Sequence, residues 1–193
     1  MKSIILASAS PRRRQLLEGL GLEFKVLPSN IEEKMNPRLG PAAQARNLSR
    51  QKAIAVAKKF EGKDALIIAA DTIVVIGNEQ LGKPETEREA KSMLKKLSGK
   101  KQIVVTGFTI FDSLTGKKVT KSVETTLFMR KLSDQEILSY LKKEDVFDKA
   151  GAYAIQGLGE LLFDRVEGDY SNVLGLPLTP LYKELKKFGI SLL

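Results

Sequence analysis

A short segment near the start of the chain carries two serines and two arginines around a proline, Ser8-Ala9-Ser10-Pro11-Arg12-Arg13. Ser10 is a good N-cap and Pro11 suits the first helical position, so the segment predicts a helix start. The free N–H groups of a helix start and two guanidinium groups favour binding of phosphate oxygens. The alternative is a capped surface helix with exposed arginines. That alternative leaves unexplained why two cations oppose the helix dipole, a conflict that a bound anion would remove.

A second feature is a single carboxylate in the most apolar stretch of the sequence, residues 65–76. Burying Asp71 in such a strand is costly unless the carboxylate is paired, protonated or bound to metal. Near a strand end it would face the crevice where α/β sheets bind ligands. The alternative is a structural aspartate that caps a loop or bonds to Thr72.

Two further segments give weaker signals. Leu81-Gly82-Lys83-Pro84 combines a glycine that permits close backbone approach with a lysine suited to phosphate, but Gly-Lys-Pro also occurs in ordinary turns. Within residues 149–157, glycines flank Tyr153 and Gln156. This pattern is typical either of backbone packed against a flat ligand or of a simple bend between strands. The Gln156 amide can donate one hydrogen bond and accept another, which matches the edge of a pyrimidine.

Absent residue types narrow the possible chemistry. The 193 residues include no cysteine and no histidine, which excludes thiolate nucleophiles, Ser-His-Asp triads and histidine zinc sites. Catalysis must therefore use carboxylates, lysines, arginines or tyrosines, either alone or with a metal ion. Oxygen ligands from Asp and Glu favour Mg²⁺ or Mn²⁺ as that ion. The formal net charge of +9 fits a polyanionic partner or a lysine-rich solvated surface, and we favour the surface.

Strand and helix patterns alternate along the chain. Apolar or alternating runs predict strands at 3–8, 23–27, 65–76, 102–112, 117–130, 152–156 and 161–166. Helical patterns occupy 12–20, 41–60, 86–97, 133–142 and 179–188. The two longest alternating strands predict an antiparallel hairpin. We therefore expect an α/β protein with a mixed, twisted central sheet flanked by helices, and two lobes around a cleft.

Two of these helices have predicted capping boxes at their starts. The pairs are Thr86 with Glu89 and Ser133 with Glu136. At this spacing the first side chain can bond the N–H group of the second residue, and the second side chain can bond the N–H group of the first.

Taken in order, these segments resemble the Maf family of nucleoside triphosphate pyrophosphatases. The matching stretches are Leu6–Leu17, Asn30–Glu33, Lys52-Ala53, Ala70–Ile73, Leu81–Pro84, Asp148–Gly157 and Gly168–Pro177. The Ala-Tyr-Ala-Ile-Gln-Gly stretch is similar to the branch that hydrolyses dTTP and UTP to the monophosphate and pyrophosphate, a house-cleaning activity on the nucleotide pool. The resemblance implies a Maf/ITPase-like form of the fold, as a single domain over residues 1–193.

The resemblance also implies roles for particular residues. Asp71 is the expected proton acceptor, and Glu33 and Asp71 are the expected ligands of a divalent cation, Mg²⁺ or Mn²⁺. The residues expected to bind substrate are Ser8, Arg12, Arg13, Lys52, Thr72, Lys83 and Gln156. Arg12, Thr72 and Gln156 are expected to shape specificity. Asn30-Ile31-Glu32 stands where many members have Asp-Ile-Asp.

The expected partner is a nucleoside triphosphate substrate, bound by a cytoplasmic homodimer. The N-terminal apolar run is too short for a signal peptide, and no run reaches membrane-spanning length. No stable nucleic-acid complex is expected, because the sequence lacks an aromatic stacking platform and a known recognition motif. Two alternatives stay open: a nucleic-acid-binding regulator of cell division without catalysis, and a phosphatase that releases inorganic phosphate first.

Overall fold

The computed structural model describes residues 2–193 and contains a seven-stranded sheet with helices on both faces. Within these residues the strands are β1 (Ser3–Leu6), β2 (Phe24–Val26), β3 (Ala65–Ile76), β4 (Glu79–Leu81), β5 (Lys101–Asp112), β6 (Lys118–Met129) and β7 (Phe163–Glu167). The α-helices are α1 (Pro11–Glu18), α2 (Pro41–Ala57), α3 (Glu87–Leu97), α4 (Asp134–Lys143), α5 (Tyr170–Val173) and α6 (Leu178–Leu185). None of these helices is both long and apolar enough to cross a membrane.

The sheet is mixed, as the sequence predicts. Its strand order is β2-β1-β3-β5-β6-β7, with β4 paired to β3 outside this path. β1 pairs in parallel with β2 and β3, whereas β5 pairs antiparallel with β3 and β6. β7 and β4 also pair antiparallel with their neighbours. The predicted central position of β3 and the predicted β5–β6 hairpin are both confirmed.

Alternate residues of β3 face opposite sides of the sheet. Ile67 packs in a cluster with Ala53 and Val56 of α2. Ile68 packs on the other side with Leu17 of α1 and Leu181 of α6. A further cluster packs α3 and α4 against the ends of β5 and β6. These cores fix the elements that carry the polar residues of the candidate site.

Most predicted helix and strand positions are confirmed to within a few residues. β3 has the predicted bounds, Ala65–Ile76. The Ser10 hydroxyl accepts from the N–H of Arg13 as the N-cap of α1, with Pro11 at the first helical position. Ser133 and Glu136 form the predicted capping box of α4.

The capping box predicted at α3 is wrong in one of its two bonds. The Thr86 hydroxyl accepts from the N–H of Glu89, as predicted. The Glu89 carboxylate, however, accepts from the N–H of Glu85 and not from that of Thr86. The Glu89 side chain thus reaches one residue beyond the N-cap.

The strand predicted at 152–156 is wrong. A 3-10 turn, Ala150–Ala152, stands there and is followed by irregular chain. Gly151 and Ala152 have φ values of 75° and 62°, which is left-handed backbone that a strand cannot contain. The strand predicted at 161–166 begins only at Phe163, because a 3-10 helix occupies Gly157–Leu162.

Candidate active site

A gap in the sheet creates the cleft. β1 pairs with β3 as far as Ile68, and β4 pairs with β3 from Val74 onward. Residues 69–73 of β3 therefore have no partner strand on this edge, although β5 pairs with them on the other edge. A cleft of about 550 Å³ lies at the open edge, and Asp71 and Thr72 line it.

The cleft brings together most of the predicted site residues. Its lining includes Arg12, Arg13, Glu33, Lys52, Asp71, Thr72 and Lys83. Ser8 is buried beside it and accepts a hydrogen bond of 3.1 Å from Arg13 Nη1. Gln156 is exposed and outside the lining, whereas its neighbour Ile155 belongs to it. The predicted set thus converges, with Ser8 acting through Arg13 and Gln156 at the margin.

Lys52 of α2 lies between two carboxylates. Its Nζ is 2.6 Å from Asp71 Oδ1 and 2.8 Å from Glu33 Oε1. The side chains of Lys52 and Asp71 are each 11% exposed, whereas that of Glu33 is 46% exposed. The ammonium group compensates the charge that makes a buried carboxylate costly. Asp71 Oδ2 accepts no hydrogen bond from residues 2–193, so one of its two oxygens is available to a ligand.

Close packing of α2 on the sheet brings Lys52 to Asp71. Ala45, Leu48 and Lys52 recur at helical spacing and so share the face of α2 that packs on the sheet. Gly107 of β5 pairs directly with Asp71, and a Cβ at Gly107 would lie 2.3 Å from the carbonyl carbon of Ala45. Glycine at this position therefore permits the close approach of the helix.

Thr72 faces the opposite side of the sheet from Asp71, together with Arg13. The Arg13 Nε donates to the carbonyl oxygen of Gly175 at 2.7 Å, and Nη2 donates to Thr72 Oγ1 at 2.9 Å. Thr72 Oγ1 also lies 2.9 Å from Thr106 Oγ1. Burial lowers the pKa of the Arg13 guanidinium, which still remains charged near neutral pH. With its bond to Ser8, Arg13 joins α1, β3 and the chain around Gly175.

Arg12 and Lys83 differ from Arg13 in having no such contacts. Both line the cleft, and neither forms a salt bridge or a side-chain hydrogen bond within residues 2–193. Arg12 is partly buried and Lys83 is exposed. These two cations are therefore available to an anionic ligand, whereas the charge of Lys52 and the donors of Arg13 are already engaged.

The cleft contains two neighbouring carboxylates, which are donors of the kind that a divalent cation uses. Glu33 Oε1 and Asp71 Oδ1 both contact the Nζ of Lys52. No group of three or more acidic side chains suited to hold a metal is found among the residues that the structure describes. Mg²⁺ commonly binds one or two carboxylates and takes its other ligands from water and substrate phosphates. Two carboxylates in a cleft meet that requirement.

Sequence reasoning missed the role of Gly107. Its signal is present, because an isolated glycine within an alternating strand indicates close backbone approach. Asn172 of α5 was missed as well. It is fully buried, and its Nδ2 donates to the Val104 carbonyl at 3.0 Å and to Thr125 Oγ1 at 2.9 Å. These bonds fix α5, which precedes the Gly175 carbonyl bound by Arg13.

Comparison with known proteins identifies relatives along the whole chain. A family model described as "Maf-like protein" matches residues 3–188. The chain is 46% identical to the dTTP/UTP pyrophosphatase of Caldicellulosiruptor saccharolyticus, covering 100% of this chain and 98% of that protein. It is 48% identical to the dTTP/UTP pyrophosphatase of a Thermoanaerobacter species, covering 98% and 99%. The Staphylococcus aureus Ham1 protein superposes with a TM-score of 0.48 at 12% identity, covering 66% of this chain and 72% of that one.

Proposed function

This chain belongs to the Maf family, and on that basis we propose that it hydrolyses dTTP and UTP to the nucleoside monophosphate and pyrophosphate. Relatives of nearly equal length carry the name dTTP/UTP pyrophosphatase. Their names favour an enzyme over a nucleic-acid-binding regulator. The proposed role is house-cleaning of the nucleotide pool.

The position of Asp71 is the observation that carries this proposal. One carboxylate oxygen is held by Lys52, and the other has no hydrogen-bond partner among residues 2–193. In the proposed reaction a water molecule attacks the α-phosphorus and the bond from that phosphorus to the oxygen bridging to the β-phosphate breaks. Asp71 Oδ2 accepts the proton of the water, and pyrophosphate leaves with the bridging oxygen. A positioned general base of this kind contributes about 10²- to 10⁴-fold to rate.

The cations of the cleft have distinct proposed tasks. Arg12 and Lys83, which form no salt bridge or side-chain hydrogen bond within residues 2–193, bind the phosphate oxygens. Lys52 balances Glu33 and Asp71 before substrate binds, and can share its three donors with a phosphate afterwards. Arg13 shapes the cleft by holding Thr72 and Gly175 in place.

Glu33 and Asp71 would hold the divalent metal, Mg²⁺ or Mn²⁺, that is part of this proposal. When bound there, such an ion would supply charge neutralisation at the reacting phosphoryl group. To hold the ion, the protein must keep Glu33, on the loop before α2, close to Asp71 on β3.

A panel of nucleoside triphosphates, assayed with and without Mg²⁺ or Mn²⁺, tests the proposal when the products are identified. We expect UTP and dTTP to be the best substrates and pyrophosphate to be the first product. Inorganic phosphate as the first product would instead establish a phosphatase. Asp71→Asn should lower kcat by about 10²-fold or more while nucleotide binding stays detectable, and a fully active variant would exclude Asp71 as the base.

The resemblance to the family also leads us to propose a single domain over residues 1–193 that acts as a cytoplasmic homodimer. Light scattering of the purified chain tests the assembly. A mass of two chains supports the proposal, and a monomer at enzymatic concentrations contradicts it.

A further inference from the structure

The ammonium group of Lys52 lies between the two carboxylates that are proposed to hold the divalent cation. Its Nζ contacts Asp71 Oδ1 at 2.6 Å and Glu33 Oε1 at 2.8 Å. Within residues 2–193, Lys52 is the only cation in contact with both of these side chains. The contact with Asp71 is largely shielded from solvent, since each of the two side chains is 11% exposed. Lys52 therefore already supplies positive charge at the position where the cation would bind.

The proposed function requires both oxygens of Asp71. Oδ2, which has no hydrogen-bond partner among residues 2–193, accepts the proton of the attacking water. This leaves Oδ1 to help hold the divalent cation, and Oδ1 is the oxygen that Lys52 contacts. Two cations a few ångströms apart repel each other even in water, and more strongly in a partly buried site. The Lys52 ammonium and a divalent cation therefore compete for the same carboxylate oxygens.

Backbone contacts fix both carboxylates, whereas the ammonium is on a flexible side chain. Asp71 belongs to β3 and pairs with β5. Glu33 lies in irregular chain, but the Gln51 side chain of α2 binds the next residue, Lys34. Gln51 Nε2 donates to the Lys34 carbonyl at 3.0 Å, and Gln51 Oε1 accepts from the Lys34 N–H at 3.3 Å. Lys52 reaches the carboxylates through a four-carbon stem with several rotatable bonds, so the ammonium is the group that can move away.

We propose that the Lys52 ammonium keeps divalent cations away from Glu33 and Asp71 until the phosphates of a nucleotide bind. The proposal rests on the proposed function and deepens it, because it makes Lys52 the residue that couples metal binding to substrate binding. Phosphate oxygens give the ammonium a new partner, and its departure releases the two carboxylates. The chain alone should therefore bind divalent cations weakly, and the cleft should take up the metal together with the triphosphate.

Titration of the full chain with Mn²⁺ in the absence of nucleotide tests this assignment, with free Mn²⁺ measured by electron paramagnetic resonance. Lys52→Met removes the charge and keeps an unbranched side chain. We expect it to raise the affinity for Mn²⁺ by about 10-fold or more, because a repelling cation is lost and two carboxylates are released. Adding Glu33→Gln to Lys52→Met should cancel this gain. Lys83→Met makes the same chemical change at a cleft lysine that forms no salt bridge within residues 2–193, and it serves as the matched control with an affinity close to that of the unaltered chain.

An unchanged affinity for Mn²⁺ in Lys52→Met would overturn the assignment, and so would an equal gain in Lys83→Met, which would reflect only the net charge of the cleft. If Lys52→Met does not fold, Glu33→Gln in the otherwise unaltered chain decides. We expect this single substitution to leave the weak Mn²⁺ binding unchanged, and a loss of affinity would show that the cation already binds beside Lys52.

Steady-state kinetics of the unaltered enzyme test the coupling to substrate. At a fixed concentration of the Mn²⁺–UTP complex, additional free Mn²⁺ should leave the rate unchanged. Saturable activation by free Mn²⁺ would show that the metal binds before the nucleotide and would overturn the coupling. If the unaltered enzyme hydrolyses neither UTP nor dTTP, the proposed function itself fails. That failure is distinguishable, because the Mn²⁺ titrations contain no nucleotide and report on Lys52 alone.

Discussion

Arg12 and Arg13 are adjacent in sequence and alike in chemistry, yet their contacts in the structure differ. Arg13 donates to Gly175 O, Ser8 Oγ and Thr72 Oγ1 at 2.7, 3.1 and 2.9 Å. Arg12 forms no side-chain hydrogen bond within the described chain. Replacing each in turn by lysine keeps the charge and removes the planar fork of donors.

The expected loss at Arg13 follows from its bonds. A lysine ammonium cannot reach three acceptors that are arranged around a planar guanidinium, so Arg13→Lys loses about two of them. A hydrogen bond from a charged group contributes about 1.5–3 kcal/mol, and the lower end applies to a partly exposed side chain. A loss of about 3 kcal/mol lowers the melting temperature of a chain of this size by about 6–12 °C. Arg12→Lys should change it by less than about 2 °C while raising KM for UTP.

Thermal unfolding followed by circular dichroism without nucleotide, together with steady-state kinetics on UTP, separates the two roles. Arg13→Lys should lose both stability and activity, because the cleft wall around Gly175 is released. Equal and small changes in melting temperature for the two variants would refute the assignment of Arg13 as the residue that joins the walls of the cleft.

Two further predictions concern the elements that position the site. Gly107→Ala should lower the free energy of unfolding by about 1–3 kcal/mol or more and reduce activity, because the new Cβ meets the Ala45 carbonyl group. The control in chemical denaturation is Gly40→Ala, where a Cβ has open space. Equal effects of the two substitutions would contradict the packing argument. Hydrogen bonds from Ser133 hold the pKa of Glu136 at about 2, against an ordinary value of 4.5. The stabilisation of α4 by Glu136 should therefore be complete above about pH 4.5 and be lost as the pH falls toward 2. Amide exchange in the first turn of α4 should show this pH dependence, and the Glu136→Gln variant should lack it. If the variant kept the dependence, the titrating group would be another residue.

The sequence predicts those parts of the molecule that depend on local chemistry. β3 is recognisable because twelve residues contain one charge, and α1 because Ser10 and Pro11 are a cap and a first-turn proline. The strand predicted at 152–156 fails because Ala152 adopts a left-handed conformation. A non-glycine residue takes that conformation only under tertiary constraint, and its sequence contains no sign of it.

In the candidate site too, the sequence predicts what depends on local chemistry and misses what depends on tertiary contacts. Residue types select Asp71 and Arg13 as candidates, whereas Lys52 is selected only through the family resemblance. Their contacts depend on two features. One is the packing of α2 on β5, for which Gly107 is a signal in the sequence. The other is the stretch where β1 and β4 leave β3 unpaired, which no local pattern encodes. The sequence therefore predicts only that Lys52 and Arg13 bind phosphate. In the structure, both side chains donate hydrogen bonds to other residues of the chain.

Hydrolysis of UTP in ¹⁸O-labelled water tests the central claim most directly. Attack of water on the α-phosphorus at Asp71 places one ¹⁸O atom in UMP and none in pyrophosphate, and mass spectrometry of the two products should show that distribution in a single-turnover reaction. Label in pyrophosphate, or release of labelled inorganic phosphate, would contradict the account because attack would then occur at another phosphorus.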